Sequence, residues 1–339
     1  MAVRLKDIAA DVGVSTITVS KVLRNKPDVG AETRKRVLQR IKELNYRPNM
    51  LARGLASGRS NTVGLIVPDL VHTFFAEFAK GLKAGLRKRG YQLVLASAEE
   101  DPEMESEEIE NLLARGVDAL LVASCQTNAE GLKSLLRNQF PYVLIDRVLP
   151  DILTHFVGTD DFAAGSMATE HLLSLGRRRI AHIGNPEVST GADRYRGYKE
   201  ALQLVGIPLN QSLVVQSARL EEAGDKAGYE AMTTLLKLKN RPDAVFCYND
   251  LSAVGAIKAI LAAGLRVPQD IAVIGCGNLR LATYLEVPLS SIDQDTAQLG
   301  EQAAKLTASL LSGASSPGFR EIRVEPKVIA RASTVGRLD

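Results

Sequence analysis

The stretch Asp7-Ile8-Ala9-Ala10-Asp11-Val12-Gly13-Val14-Ser15-Thr16-Ile17-Thr18-Val19-Ser20-Lys21-Val22-Leu23 decides how the N-terminal part of the chain folds. Leu5, Ile8, Ala9 and Val12 recur at helical spacing, so a short helix is expected from Leu5 to Asp11. Gly13 supplies the permissive backbone that a sharp turn needs. Ser15 stands at an N-cap position, and Ile17, Val19, Val22 and Leu23 lie among polar residues in a second helix. A third helix is expected from about Ala31 to Asn45, with Val37, Ile41 and Leu44 turned inward and a basic face outward. Three short helices with a tight turn between the first two make an all-α helix-turn-helix head. Beyond it, Arg47-Pro48-Asn49 breaks the third helix and Met50 to Ala56 allows one or two helical turns. Ser57 to Asn61 reads as a linker.

From there a strand–helix alternation begins. Apolar runs fall at Val63–Val67, Gln92–Ala96, Val117–Ala123, Tyr142–Ile145 and Val157–Thr159, then at Ile180–Ile183, Leu213–Gln216, Ala244–Tyr248 and Ile271–Gly275. Runs that are apolar on both faces, separated by helices, mark parallel, doubly wound sheets. Two series over about 280 residues exceed one comfortable core and predict two α/β lobes. The acidic stretch from Glu99 to Glu110 reads as a loop entering a solvated helix. Charge divides the same way. Residues 1–60 hold 13 Lys/Arg against 5 Asp/Glu, and the rest hold 29 against 34, so a head of +8 joins a body of −5 within a 339-residue chain of net charge +3. Such a head suits a polyanionic partner.

Composition is that of a globular protein, 45% apolar and 24% charged, without an apolar run long enough to span a bilayer. Met1 to Asp7 lacks the apolar stretch of a signal peptide, which predicts a cytoplasmic protein with no membrane partner. Cys125, Cys247 and Cys276 are far apart in apolar runs and read as buried thiols. Catalytic signatures are missing. Gly275-Cys276-Gly277-Asn278-Leu279-Arg280 has arginine where a dinucleotide fingerprint needs its third glycine, and neither a phosphate-cradling G-x-x-x-x-G-K-[ST] loop nor a G-x-S-x-G elbow occurs. His72, His155, His171 and His182 are scattered, without metal-ligand spacing. The expectation is a protein with no catalytic residues, no metal and no cofactor. Small hydroxyl residues at the start of the second helix instead suit close approach to DNA: Ser and Thr donate to phosphates or base edges, and the methyl groups of Thr16 and Ile17 can touch thymine methyls.

Val14-Ser15-x-x-Thr18-Val19-Ser20-Lys21-Val22-Leu23, Thr33-Arg34-x-Arg36-Val37 and Leu44-Asn45-Tyr46-Arg47-Pro48-Asn49 closely resemble the lactose-repressor family of bacterial transcription factors. The resemblance continues through Val63-Gly64-Leu65-Ile66-Val67-Pro68-Asp69, Phe74-Phe75, Ile145-Asp146-Arg147, Gly184 to Gly197, Asn249-Asp250, Gly264-Leu265-Arg266-Val267-Pro268 and Ser291-Ile292-Asp293-Gln294. It implies a helix-turn-helix head over residues 1–46, a hinge helix and linker over 47–61, and a periplasmic-binding-protein-like effector-binding and dimerisation domain over 62–339. Lobe 1 would span about 62–160 plus 291–320, and lobe 2 about 161–290 plus 321–339, with crossovers near Asp160, Ser290 and Arg320.

By the same resemblance, Leu5, Ser15, Thr16, Ile17, Thr18, Ser20 and Lys21 contact DNA. Lys21 stands where many relatives have Arg, and a lysine does not make the bidentate fork to guanine. Asn49, Ala52 and Leu55 match the hinge residues that enter the minor groove, with Leu55 as the wedge that bends the duplex. Asp69, Phe74, Phe75, Asp146, Thr190, Arg194, Asn249, Gly277 and Gln294 match the effector cleft. Gly277 departs from the aspartate of many relatives, and Arg194 suits a carboxylate or paired hydroxyls; the lost acceptor and negative charge make phosphorylated, acidic or bulkier effectors expected ahead of neutral hexoses and pentoses. The implied function is a transcriptional regulator, a repressor, acting as a homodimer or higher oligomer on a near-palindromic operator under control of a small-molecule effector, a sugar or related metabolite, bound between two lobes. The alternative is a free small-solute-binding protein of the periplasmic type, against which the basic head argues.

Overall fold

The computed structural model describes residues 3–23, 25–46, 59–150, 152–217, 224–313 and 318–336. It divides into two units, Met1–Ser60 and Asn61–Asp339, each with its own core.

In the first unit, α1 (Leu5–Val12), α2 (Thr16–Leu23) and α3 (Ala31–Glu43) enclose a small core of Ile8, Ala9, Val12, Val19, Val22 and Val37. Gly13 ends α1 in the left-handed region at φ 73°, a conformation that costs an L side chain. The third helix stops at Glu43, two residues short of the expected Asn45, because Asn45 itself turns to φ 46°. Ile41 and Leu44 pack half-buried on the core beside Val37, as their spacing implies. Three arginines of α3 tie the head together: Arg36 Nη2 donates to the Val12 carbonyl at 2.6 Å, Arg40 Nη2 lies 2.7 Å from Asp11 Oδ2, and Arg34 reaches the α2–α3 loop.

The second unit holds two six-stranded sheets. The first runs β11-β5-β4-β3-β1-β2, built from β1 (Thr62–Val67), β2 (Gln92–Ser97), β3 (Ala119–Val122), β4 (Tyr142–Ile145), β5 (His155–Thr159) and β11 (Glu321–Val324), all parallel. The second runs β12-β10-β9-β8-β6-β7, from β6 (Ile180–Gly184), β7 (Val214–Gln216), β8 (Ala244–Cys247), β9 (Ala272–Cys276), β10 (Ser290–Asp293) and an antiparallel β12 (Lys327–Ile329). α4 (Thr73–Lys88), α5 (Pro102–Ala114), α6 (Lys133–Arg137) and α11 (Thr296–Ser312) accompany the first sheet, with α11 lying along α4. α7 (Asp161–Ser174), α8 (Ser189–Leu204), α9 (Gly224–Leu236), α10 (Asp250–Ala262) and the short α12 (Ala332–Val335) accompany the second. Separate buried clusters on both faces of each sheet explain why the strands read as continuous apolar runs.

The chain passes between lobes three times: after β5, after β10 and after β11. The second and third passages follow Asp293 and Val324, a few residues beyond the expected Ser290 and Arg320, because β10 completes the second sheet and β11 the first before the chain leaves. The acidic stretch also departs from expectation. Asp101 caps α5 through the Glu103 and Met104 N–H groups, but Glu105 is wholly buried rather than solvated.

Candidate functional site

In the head, the Thr18 N–H donates to Ser15 Oγ at 3.1 Å and the two hydroxyls lie 2.9 Å apart, so Ser15 caps α2 as its position implied. Thr16 is exposed, and Ile17 is 64% exposed while Val19 and Val22 on the opposite face are buried. Ile17 is thus an exposed apolar side chain at the start of the helix that the head's own core does not use. Thr18, Ser20 and Lys21 are half-buried. Leu5 is half-buried too and packs on the head core, so part of its side chain is already used in folding. Lys21 Nζ lies 2.5 Å from Asp28 Oδ2, and that hydrogen bond holds the Asp28 carboxyl below the usual range. Asn49, Ala52 and Leu55 lie outside the described residues.

In the body, the strand ends of the two sheets face one cleft. Its inner end, with a volume of about 20 Å³, is walled from the first lobe by Phe74, Phe75, Asp146 and Arg147, and from the second by Arg194, Tyr248, Asn249 and Cys276, with Gln294 at the crossover. Six of the expected residues therefore meet: Phe74, Phe75, Asp146, Arg194, Asn249 and Gln294. Phe74 and Phe75 open α4 and stand edge to face at 5.1 Å, presenting an apolar wall. Asp146 takes φ 64° directly after β4, a left-handed backbone of the kind that clusters at binding sites. Asn249 caps α10 through the Ser252 N–H at 2.8 Å, leaving its buried Nδ2 with no acceptor. Gln294 Nε2 donates to Thr159 Oγ1 at 3.1 Å and joins two crossovers.

Three expected residues do not reach these walls. The Asp69 carboxylate turns back to accept the Val71 N–H at 2.7 Å. Thr190 Oγ1 pairs with the Tyr248 hydroxyl at 2.9 Å, behind the surface. Gly277 sits just past Cys276 at φ 127°, where any side chain is strained, and a Cβ there would lie 3.8 Å from Asp250 Oδ2. Asp250 holds this loop by accepting Ser291 Oγ–H at 2.6 Å and the Leu279 N–H at 2.7 Å; burial raises its pKa to about 6 against those bonds.

Arg194 corrects a chemical expectation. It projects from α8 where that helix crosses α7 at Gly165, a contact too close for a Cβ. Nε and Nη2 both reach Asp161 Oδ1, at 2.8 and 2.7 Å, Nη1 donates to the Tyr248 carbonyl at 2.8 Å, and the guanidinium lies 4.9 Å from the Tyr248 ring centroid. Burial pushes the Asp161 carboxyl up while Arg194 draws it down. The fork expected to clamp a ligand carboxylate is thus already occupied by one from the protein. Arg147, which the sequence reading passed over as a site residue, is paired likewise with Glu100, at 3.1 and 3.2 Å.

Outward, the cleft widens to about 620 Å³ between the loops after β3, β4 and β6. Cys125 lines this mouth half-buried, unlike the fully buried Cys247 and Cys276, so the expectation of three buried thiols fails at this position, which borders the cleft. Ser124 Oγ–H and the Cys125 N–H each donate to Glu105 at 2.6 Å, and Cys125 Sγ lies 3.1 Å away. A hydrogen bond spans the mouth, from the Val148 N–H to Ser189 Oγ at 2.9 Å. Tyr248 and Cys276 were also missed; each adjoins a residue that the motifs did single out. His182 is enclosed by Tyr195, Tyr198 and Phe246, and burial lowers its pKa to about 3, so it is a neutral core residue. Among the described residues no cluster of His, Cys, Asp or Glu is placed to hold a metal ion, and no helix is long and apolar enough to cross a membrane.

Residues 4–49 match the family model for bacterial regulatory proteins of the lacI family, and residues 169–334 match the periplasmic binding protein-like domain. The chain is 33% identical over 333 residues to the HTH-type transcriptional repressor PurR of Haemophilus influenzae, covering 97% of this chain and 98% of that protein. It is 30% identical over 339 residues to the HTH-type transcriptional regulator DegA of Bacillus subtilis, covering 98% of each. Among solved structures, the Lac repressor dimer bound to operator and the anti-inducer ONPF superposes with a TM-score of 0.85 at 25% identity, over 98% of this chain and 99% of that one. A complex of the transcriptional regulator CelR with cellobiose gives 0.74 at 30% identity, over 98% and 99%. With relatives this similar over nearly its whole length, the chain belongs to the lacI family of bacterial regulatory proteins.

Proposed function

We propose that the protein is a transcriptional repressor that binds a near-palindromic operator as a homodimer and is controlled by a small polar molecule taken up between its lobes. The observation that carries this reading is the exposed start of α2, where Ser15, Thr16 and the 64%-exposed Ile17 present hydroxyls and an apolar contact beside a buried opposite face. That is the arrangement of a helix that reads the major groove. Residues 1–46 serve as the DNA-binding head, 47–61 as the hinge and 62–339 as the effector and dimerisation domain. Leu55 is the proposed minor-groove wedge. Like the repressors it resembles, the protein works in the cytoplasm, where its operator is, and binds its effector without turnover.

The effector reading rests on the cleft walls. Both guanidiniums carry carboxylate partners, which removes the reason to expect an acidic ligand; Asn249 Nδ2, Gln294 and Asp146 favour recognition through hydroxyl, carbonyl or amide groups, with Phe74 and Phe75 covering an apolar face. Effector binding shifts the population of lobe arrangements, and with it the spacing of the paired hinges. Selection of bound sequences from random duplex DNA tests the reading. Recovery of inverted half-sites, with affinity falling steeply as salt rises, is expected; recovery of no palindrome refutes it.

A further inference from the structure

The loop between α2 and α3 is built more firmly than a connection requires. Asn25 takes φ 52°, its N–H donates to the Val22 carbonyl at 3.0 Å, and the Lys26 N–H returns to the Lys21 carbonyl at 3.0 Å. Arg34 then clamps the loop, Nη1 donating to Asn25 Oδ1 at 2.7 Å and Nη2 to the Lys26 carbonyl. The outcome is that Asp28 reaches back over the last turn of α2 and takes Lys21 Nζ at 2.5 Å, with the two side chains 53% and 40% exposed.

A pair this exposed adds little to stability. It is also a misfit for a surface that meets a polyanion, since Lys21 is the single basic side chain in α2 and Asp28 cancels its charge. Discrimination between DNA sites is a difference of affinities, and a repulsive element sharpens it where the right site offers a contact that offsets the repulsion and the wrong site does not. We infer that Asp28 determines specificity by holding Lys21 against α2, so that random duplex DNA meets a neutralised lysine and a carboxylate. At the operator, a base-edge acceptor in the major groove takes Lys21 over from Asp28. The inference rests on α2 being the DNA-reading helix.

The test uses the full-length protein with Asp28→Asn, Lys21→Gln and the double substitution, each checked for native far-UV circular dichroism. Affinity is measured for sonicated genomic DNA and for the selected site across a salt series. Asp28→Asn is expected to tighten non-specific binding severalfold and to steepen its salt slope by about 0.9 per head. Affinity for the selected site changes less, so the specific-to-non-specific ratio falls. The tightening is expected to shrink when Lys21 is Gln. Unchanged or weaker non-specific binding in Asp28→Asn overturns the inference, and so does equal tightening with and without Lys21, which would make Asp28 a bare charge. If the unmodified protein selects no site at all, the regulator reading fails and the inference falls with it.

Discussion

Glu105→Gln tests whether a single buried carboxylate sets the mouth of the effector cleft. Glu105 has no solvent exposure, and two of its hydrogen bonds, from Ser124 Oγ and the Cys125 N–H, are 2.6 Å long. Charge-assisted bonds contribute about 1.5–3 kcal/mol each. Glutamine keeps one acceptor oxygen and turns an NH2 group toward the other donor. Ser124 adapts by rotating its hydroxyl, but the Cys125 N–H does not. With the amide oxygen on the Cys125 N–H and the NH2 donating to the turned Ser124 hydroxyl, both contacts persist without the charge and the Ser124 hydroxyl proton loses its acceptor, a cost of about 1–3 kcal/mol against a domain stability of about 5–15 kcal/mol. Urea unfolding followed by far-UV circular dichroism reads that loss, since the chain has no tryptophan. A second readout is chemical. Burial first, then the Glu105 charge, push the Cys125 thiol up. Neutralising Glu105 removes the second cause, so Cys125 should be alkylated by iodoacetamide faster, by about tenfold for each unit its pKa falls. Cys247 and Cys276 are buried and serve as slow internal controls. A variant within 1 kcal/mol of the parent, with unchanged labelling at Cys125, would show that Glu105 does not hold this loop.

Ile17→Ala should leave thermal stability within about 0.5 kcal/mol, as expected for an exposed side chain, yet weaken binding to the selected operator; equal operator affinity would remove Ile17 from the interface. Asp250→Asn should alter the pH dependence of unfolding. The folded value of about 6 lies above the ordinary 3.8, so this group's contribution is full below pH 3.8 and is lost as pH rises through 6. Relative to Asp250→Asn, the parent should gain up to about 3 kcal/mol between pH 7 and pH 4, and parallel stability curves would refute the assignment. Gly277→Ala should cost about 1–3 kcal/mol through its backbone alone, and Gly277→Asp more because its carboxylate lands beside Asp250, an order that melting temperatures check directly.

The sequence revealed most about elements whose signal is local. Gly13, the Ser15 cap and the spacing of Ile8, Val12, Val19 and Val22 fix the head within one or two residues, because turn, cap and core all act within a few positions. The first nine strands, which alternate with helices, were legible for the same reason. The last three were not: β10 to β12 are three or four residues long, and β11 and β12 are edge strands whose alternation is diluted by charge, as in Glu321-Ile-Arg-Val. Site residues divided along a similar line. Motifs located Asp146, Asn249 and Gln294 in the cleft, but the partner that occupies Arg194 comes from the start of α7, 33 positions away, and no local pattern announces it. Glu105 was misread because its neighbours Glu103, Glu107 and Glu110 are acidic and open to water, and the return of the chain after β3 covers it.

The arrangement of ion pairs explains how such a cleft can open cheaply. Arg147 and Glu100 both belong to the first lobe, and Arg194, Asp161 and Tyr248 all belong to the second, so parting the lobes breaks neither set. Across the mouth runs the neutral Val148–Ser189 hydrogen bond, worth about 1 kcal/mol net, which water replaces readily. The inner end, at about 20 Å³, has room for one water, whereas small-molecule sites run to about 300–1,000 Å³. A ligand that gives Asn249 Nδ2 its missing acceptor must therefore separate Phe74 and Phe75 from the opposite wall. The filled and closed arrangements are then different states, and the effector acts through its differential affinity for them. Because these two ion pairs stay formed in both, that difference is set by contacts with the ligand together with the field that Asp146 exerts across the cleft on Asp161 and Arg194.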